Sequence, residues 1–340
     1  MEYTINTAAS VKDALSLLES NGIQTLFVTD GEGRMRGTLT DGDVRRGILA
    51  GIGTDSPVSA VMHRDFKYLR AGSVDVASIR SFREKRIYFI PVLDEDDRIV
   101  DLLNLRQYRS RLPIDAVLMA GGKGERLRPL TESTPKPLLP VGDKAIIDHN
   151  VDRLISYGVR DITVSVNYLA GQLEAHFEAP RDGVQVKCFH EKDFLGTVGS
   201  VRLMPPFAHD AVLVMNSDLF TNIDFEDFYL HFKEYDADLS VAAIPYDVSI
   251  PLGILDLDGR DVKGVSEKPV FNYYALAGIY LMKRSVIAEI PEGSFFHATD
   301  LIGKLVAEGR KVIRYPLNGT WIDIGTLKEY QKACDLVKHL

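Results

Sequence analysis

The stretch Ala116–Val141 reads AVLMAGGKGERLRPLTESTPKPLLPV, and its reading organises the rest of the chain. Ile114 to Met119 is an apolar run of strand length, followed at once by Ala120-Gly121-Gly122 and, two residues on, Gly124. Glycines let backbone N–H groups approach an anion with no Cβ in the way, and consecutive N–H groups form an anion-binding nest. Lys123, Arg126, Arg128 and Lys136 supply cations where a triphosphate would need them. Pro129, Pro135, Pro137 and Pro140 stiffen the segment, which predicts a shaped loop and not a helix. A P-loop would need Lys-Ser or Lys-Thr after its last glycine, where Glu125-Arg126 stands, and a dinucleotide fingerprint would want glycine in place of Leu127. Taken alone, GGKG fits a tight connection as well as a phosphate cradle.

The whole string says more. GGKGERLRPLT followed by TPKPLLPV resembles the signature of the sugar-1-phosphate nucleotidyltransferases, which join a nucleoside triphosphate to a sugar phosphate and release pyrophosphate. The resemblance implies that Ala120, Gly121, Gly122 and Gly124 hold the phosphates, that Arg126 stabilises departing pyrophosphate, and that Lys136 neutralises charge at the α-phosphorus.

Composition is consistent with this. A chain of 340 residues has room for two or three domains, and 45% hydrophobic with 26% charged residues is an ordinary globular balance. The formal charge of -8 argues against nucleic acid or an anionic membrane as the main partner. Two cysteines make no disulfide framework, no signal peptide is evident at the N-terminus, and no apolar run reaches membrane-spanning length, so a cytoplasmic location is expected.

Residues 1–112 hold one pattern twice. Ser10 caps a helix over 11–19, a strand covers 25–29, and another strand ends in GTLTDGDV before a helix from Val44. The second copy opens a helix at Ser73 and places strands over 88–93 and 99–103. A repeated helix–strand–strand–helix unit should pair about a pseudo-twofold axis. Gly37-Thr38-Leu39-Thr40-Asp41-Gly42-Asp43 resembles the end of a CBS motif, so residues 1–112 are similar to a CBS pair. This implies a nucleotide site in which Thr40 reaches phosphate and Asp43 the ribose, with AMP or ATP as the ligand. Asn104 and Gln107 replace those residues in the second copy, leaving at most one such site. A packing module without ligand fits the same residues.

Residues 113–340 alternate strands and helices, which predicts an open, mainly parallel α/β sheet with ligands at the carboxyl ends of its strands. HEKDFLGTVGS, with Gly196 and Thr197, resembles the segment that contacts the base in the nucleotidyltransferases. Glu191 stands where relatives using UTP or dTTP often carry Gln. A carboxylate only accepts hydrogen bonds, and guanine offers neighbouring N1–H and N2–H donors, so Glu191 favours GTP unless it is simply a solvated loop carboxylate. Ala211–Met215 delivers Asp218 at a strand end, where an oxygen ligand suits Mg²⁺, and GTWIDIGT resembles the element that carries the second carboxylate ligand, here Asp323. PLGIL, EKP and AGIY resemble the sugar side, implying that Gly253 and Glu267 bind the sugar and Lys268 its phosphate. Leu276, standing where Asn is common, leaves the sugar open.

The expected architecture is therefore α/β: a Rossmann-like three-layer αβα nucleotidyltransferase domain behind an α+β CBS-pair domain. The expected activity is a guanylyltransferase acting on glucosamine-1-phosphate or mannose-1-phosphate with Mg²⁺, similar to the enzymes of bacterial legionaminic acid synthesis. A uridylyl- or thymidylyltransferase and a silent nucleotide sensor are the alternatives. A homo-oligomer is expected.

Overall fold

The first helix starts where its cap predicts. Ser10 Oγ accepts from the Asp13 N–H and donates to the Asp13 carboxylate, which also takes the Ser10 N–H, so both ends of the capping box are made. The computed structural model describes residues 3–22, 24–72 and 75–338, and the chain divides into one unit ending at Arg111 and another beginning at Leu112.

In the first unit β1 (Thr4–Asn6), α1 (Val11–Asn21), β2 (Thr25–Thr29), β3 (Met35–Thr40) and α2 (Asp41–Leu49) form a half with sheet order β1-β2-β3. β4 (Leu69–Arg70), α3 (Val76–Glu84), β5 (Phe89–Leu93) and β6 (Ile99–Asn104) repeat that sheet as β4-β5-β6. Both hairpins turn on the same device. Asp30 Oδ1 accepts the N–H groups of Glu32 and Arg34, and Asp94 Oδ1 those of Asp96 and Arg98. Phe27 and Met35 pack on Leu93 and Ile99 to join the halves. The repeat is incomplete, contrary to expectation: after β6 the Asn104 side chain accepts the Arg106 N–H and the chain turns, where the first half starts α2. The expected helix start at Ser73 lies outside the described residues; α3 is capped by Asp75, whose carboxylate accepts from Ser78 N–H.

The second unit runs β7 (Ile114–Met119), the small hairpin β8 (Pro140–Val141) and β9 (Lys144–Ala145), α4 (Ile146–Ser156), β10 (Asp161–Val166), α5 (Ala170–His176) and β11 (Lys187–His190). It continues with β12 (Ala211–Asn216), β13 (Leu219–Thr221), α6 (Phe225–Glu234), β14 (Leu239–Ser249), β15 (Ile254–Asp258), β16 (Asp261–Ser266) and β17 (Val270–Lys283). α7 (Ala298–Ala307), β18 (Val312–Pro316), β19 (Trp321–Asp323) and α8 (Leu327–Val337) complete it. Seven strands make one sheet in the order β11-β10-β7-β12-β17-β14-β18, parallel except for β17. Successive residues of β7 and β12 are buried, so both faces of the sheet centre are covered and the unit has three layers. Leu301 and Leu305 of α7 pack on Val117, Val212 and Val214 on one side.

Candidate active site

Parallel pairing of β7 with β12 aligns Met119 with Asn216, so the glycine loop and Asp218 leave the sheet side by side. Ser217 fastens them: its N–H and hydroxyl both donate to Met119 C=O, at 3.2 and 2.7 Å. The result is a cleft of about 670 Å³ lined by Ala120 to Arg126, Lys136, Asn167, Glu191, Gly196, Thr197 and Asn216 to Asp218. Gly124 has φ +63°, and a Cβ there would come within 3.1 Å of the Lys136 Cβ, so only glycine lets the loop fold down on that lysine. The segment after it holds two short 3-10 turns, Glu125–Leu127 and Lys136–Leu138, with Leu127 buried against Ile146, Ile322 and Ile324.

The two aspartates, over a hundred positions apart, are brought near one another by a two-stranded ribbon, although Asp323 lines a neighbouring hollow with Arg126 and Gly325 and is not among the residues lining the cleft itself. β13 pairs antiparallel with β19, setting Leu219 opposite Asp323, and Ile324 N–H donates to Asp218 C=O at 3.2 Å. Ile322 and Ile324 are buried in the core, and strand alternation turns Asp323 to the other side. Burial, and after it the negative charge of Asp218, pushes the Asp323 carboxyl up, while Lys136 and Arg126 pull it down. Lys136 Nζ donates to Asp218 Oδ2, whereas Asp218 Oδ1 is buried with no hydrogen-bond partner among the described residues. An orphaned buried carboxylate oxygen beside a second carboxyl held above its ordinary pKa is the donor set a divalent cation would satisfy. Those residues gather no third His, Cys, Asp or Glu there, and Mg²⁺ typically takes one or two carboxylates with phosphate and water oxygens.

The cations divide. Lys123, Arg126 and Lys136 line the cleft, and the Arg126 guanidinium lies beside Gly325, where a Cβ would be 3.6 Å from it. Arg128 does not line it: its side chain is exposed and turned toward Glu125, at 3.9 Å. The sequence reading therefore placed one cation too many on the phosphates.

Glu191 forms the floor. It is 2% exposed, which removes the reading of a solvated loop carboxylate. Oε1 accepts from Ser165 Oγ at 2.5 Å and Oε2 from Leu195 N–H at 3.3 Å, and Oε1 lies directly behind Gly121. Gly196, at φ +83°, passes so close to Phe296 C=O that a Cβ would sit 2.7 Å from it. The Thr197 hydroxyl is engaged as acceptor for the Ala298 N–H that opens α7.

Gly253, Glu267 and Lys268 are not among the residues lining this cleft. They lie along the exposed antiparallel extension of β14 to β17, with Gly253 packed near Glu267 Oε2 and Lys268 at φ +45°. In the first unit a separate cavity of about 850 Å³ is lined by Thr40, Arg45, His63, Arg86, Tyr88 and Arg106 among others. Asp43 does not line it. Its carboxylate accepts from the Thr40 N–H and hydroxyl and from Arg46, completing the capping box of α2.

Sequence reasoning missed three residues of the site. Asn150, buried on α4, donates to the C=O groups of Ser217 and Leu219 and fixes the turn that carries Asp218. Its signal was an amide on an otherwise apolar helix face. Asn167, just past β10, and Asn216, at the end of β12, occupy strand termini that the parallel-sheet rule points to.

Comparison with known proteins agrees with this architecture. The profile of the family described as Nucleotidyl transferase matches residues 115–339, and that of the CBS domain residues 2–50. The mannose-1-phosphate guanylyltransferase catalytic subunit beta of Drosophila pseudoobscura pseudoobscura is 30% identical over 224 residues, covering 63% of this chain and 60% of that one. A glucose-1-phosphate adenylyltransferase of Bacillus thuringiensis is 28% identical over 249 residues, covering 64% and 66%. A solved structure from Bacillus anthracis, assigned as a glucose-1-phosphate thymidylyltransferase and bound to sucrose, superposes with TM-score 0.53 at 25% identity, covering 67% of this chain and 96% of that one. The chain thus spans roughly three fifths of the length of the curated relatives first matched. The profile match over the second unit, on a fold with this strand order and this cleft, places the chain in the nucleotidyl transferase family, with a CBS domain at its N-terminal end.

Proposed function

We propose that residues 113–340 form a sugar-1-phosphate nucleotidyltransferase that uses GTP, and that residues 1–112 form a regulatory CBS pair. The observation that carries the catalytic reading is Asp218 beside the glycine loop with one oxygen unpartnered, and Asp323, on the paired strand β19, near enough for the charge of Asp218 to raise its pKa. An oxygen of the sugar phosphate, already anionic at neutral pH, attacks the α-phosphorus, and the bond to pyrophosphate breaks. No general base and no covalent intermediate are needed. N–H groups of Gly121, Gly122 and Gly124 cradle the phosphates. Lys136 transfers its charge from Asp218 to the α-phosphoryl group, and Arg126 meets the leaving pyrophosphate. Asp218 and Asp323 would hold Mg²⁺, which supplies neutralisation of the charge that two polyanions bring together. Glu267 and Lys268, which stand on the exposed extension outside the cleft, would meet the sugar and its phosphate, either glucosamine-1-phosphate or mannose-1-phosphate.

Glu191 supports guanine. A buried carboxylate at the cleft floor, accepting from Ser165 and Leu195, retains lone pairs for two adjacent ring donors and has no hydrogen to offer a pyrimidine carbonyl. Three relatives with three different bases in their names leave that choice to experiment. Pyrophosphate release with each of four triphosphates against a panel of hexose-1-phosphates tests it. GTP should be fastest, and turnover with UTP or dTTP but not GTP would reject the argument. The first-unit cavity, with Thr40 and several cations on its wall, suits the phosphates of AMP or ATP. Titration calorimetry on the full chain should show adenosine-nucleotide heat that Thr40→Val and Arg45→Ala reduce; absence of heat favours a packing role.

A further inference from the structure

Aromatic rings stand in a row at one lip of the cleft. Phe194 lines it and is 48% exposed. The Phe295 ring, 57% exposed, meets Phe194 edge-on with 6.1 Å between centroids, and His297 meets Phe295 in turn at 4.7 Å. Phe295 and His297 are not among the lining residues, so Phe194 is the ring of this row that faces the cleft. The segment that carries it is fastened on both sides. Leu195 N–H donates to Glu191 Oε2 at 3.3 Å, Leu195 C=O accepts from Phe296 N–H at 3.0 Å, and Phe296 C=O accepts from Val198 N–H at 3.3 Å. A Cβ on Gly196 would sit 2.7 Å from Phe296 C=O, and one on Gly199 2.6 Å from Ser294 C=O, so the two segments touch backbone to backbone. Phe296 anchors the pair by packing against the core cluster that holds Ala298 and Leu301. A ring fixed in this way, half in water beside a cleft, forgoes burial that a bound apolar face would supply.

We propose that Phe194 is the plate on which the base of the triphosphate stacks, and that it selects purines over pyrimidines. The inference rests on the reading that Glu191 meets the base, and it adds a second criterion to that one. Glu191 reads the hydrogen-bonding edge of the base. Phe194 reads its area: a two-ring purine covers more of a phenyl face than a one-ring pyrimidine, and edge-on support from Phe295 leaves that face free. Position favours a base over a sugar. Phe194 adjoins Leu195, whose N–H Glu191 holds, at the end of the cleft where Glu191 Oε1 lies behind Gly121, whereas Gly253 and Glu267 are not among the lining residues. The two criteria are separable by chemistry. Hypoxanthine keeps the purine face and the N1–H of guanine but lacks its N2–H donors, so Phe194 treats GTP and ITP alike.

Titration calorimetry on the full chain with Mg²⁺ and no sugar phosphate, using GTP, ITP, UTP and CTP in turn, reads the plate without turnover. The parent chain should bind the two purine triphosphates about tenfold more tightly than the two pyrimidine ones. Phe194→Ala should weaken GTP and ITP alike by about tenfold, and UTP and CTP by less than about threefold. Phe194→Leu, which keeps apolar bulk and loses the flat face, should behave like the alanine variant, and Phe194→Tyr should bind purines like the parent. A parent chain that binds UTP as tightly as GTP, an equal loss for all four in Phe194→Ala, or a leucine variant as good as the parent overturns the proposal and leaves the transferase reading standing. No binding of any of the four to the parent would sink both.

Discussion

Lys136 Nζ is bound to one carboxylate oxygen of Asp218 while the other oxygen, Oδ1, is buried and unpartnered. The lysine neutralises the aspartate through one oxygen and leaves the other a buried acceptor without a partner among the described residues. Asp218→Asn and Asp323→Asn should each lower Mg²⁺-dependent pyrophosphate release by at least a hundredfold, the scale of about 3–4 kcal/mol for one transition-state charge contact. The pair is read by single-turnover rates, with circular dichroism verifying the fold. Near-parent activity in either variant would remove that residue from the metal site.

Glu191→Gln should change selectivity more than rate. The amide gains a donor and loses an acceptor, so the ratio of kcat/KM for GTP over UTP should fall about tenfold or more, the weight of one base-edge contact. An unchanged ratio would mean that Glu191 serves only to hold Ser165 and the Leu195 N–H.

Asn150→Ala should destabilise the protein by about 1–3 kcal/mol, because two buried C=O groups at Ser217 and Leu219 lose their donor. Urea denaturation reads the loss, and activity should fall with it since the turn they belong to positions Asp218.

What was legible in the sequence follows from this contrast. A strand followed by glycines, and a strand ending in aspartate, are local patterns, so the loop and Asp218 could be placed from a few residues each. Asp323 needed the resemblance, because nothing within its own segment says that β19 will pair with β13. Asn150 acts through backbone groups some seventy positions away, so its one local sign, an amide on an apolar helix face, could not say what it binds. Arg128 and Asp43 failed in another way: each has the right chemistry for phosphate or ribose, but a neighbour, Glu125 or the Thr40 cap, sets its direction. The second repeat ends at Asn104, whose side chain accepts the Arg106 N–H as the chain turns, whereas Thr40 at the corresponding place caps α2.

Asp238 predicts a pH effect on stability. Arg310 grips its carboxylate at 3.1 Å on both oxygens, and Lys311 N–H and Lys283 add to the hold, so its pKa is lowered to about 2. A depressed carboxyl stabilises the fold above its unfolded value of about 3.9, and that contribution fades as pH falls toward about 2. Asp238→Asn should therefore cost about 1–2 kcal/mol at neutral pH, with the difference from the parent closing below about pH 3. Melting curves across that range measure it.

Cys188 should be a slow thiol. Burial, and after it the charge of Glu174, raises its pKa to about 11, so little thiolate is present at pH 8. Iodoacetamide labelling followed by peptide mass mapping should find half-buried Cys188 alkylated far more slowly in the native protein than after unfolding; equal rates would contradict the raised pKa.

The ribbon of β13 and β19 has a consequence for how the protein comes into being. Because Leu219 is registered against Asp323, the carboxylate pair cannot exist until β19 has left the ribosome, although the sheet strands on either side of the cleft emerge long before. A nascent chain arrested after α7 would already own its glycine loop and Asp218 yet lack their partner on β19, so on the reading proposed above its activity waits for β19 to join a scaffold already formed.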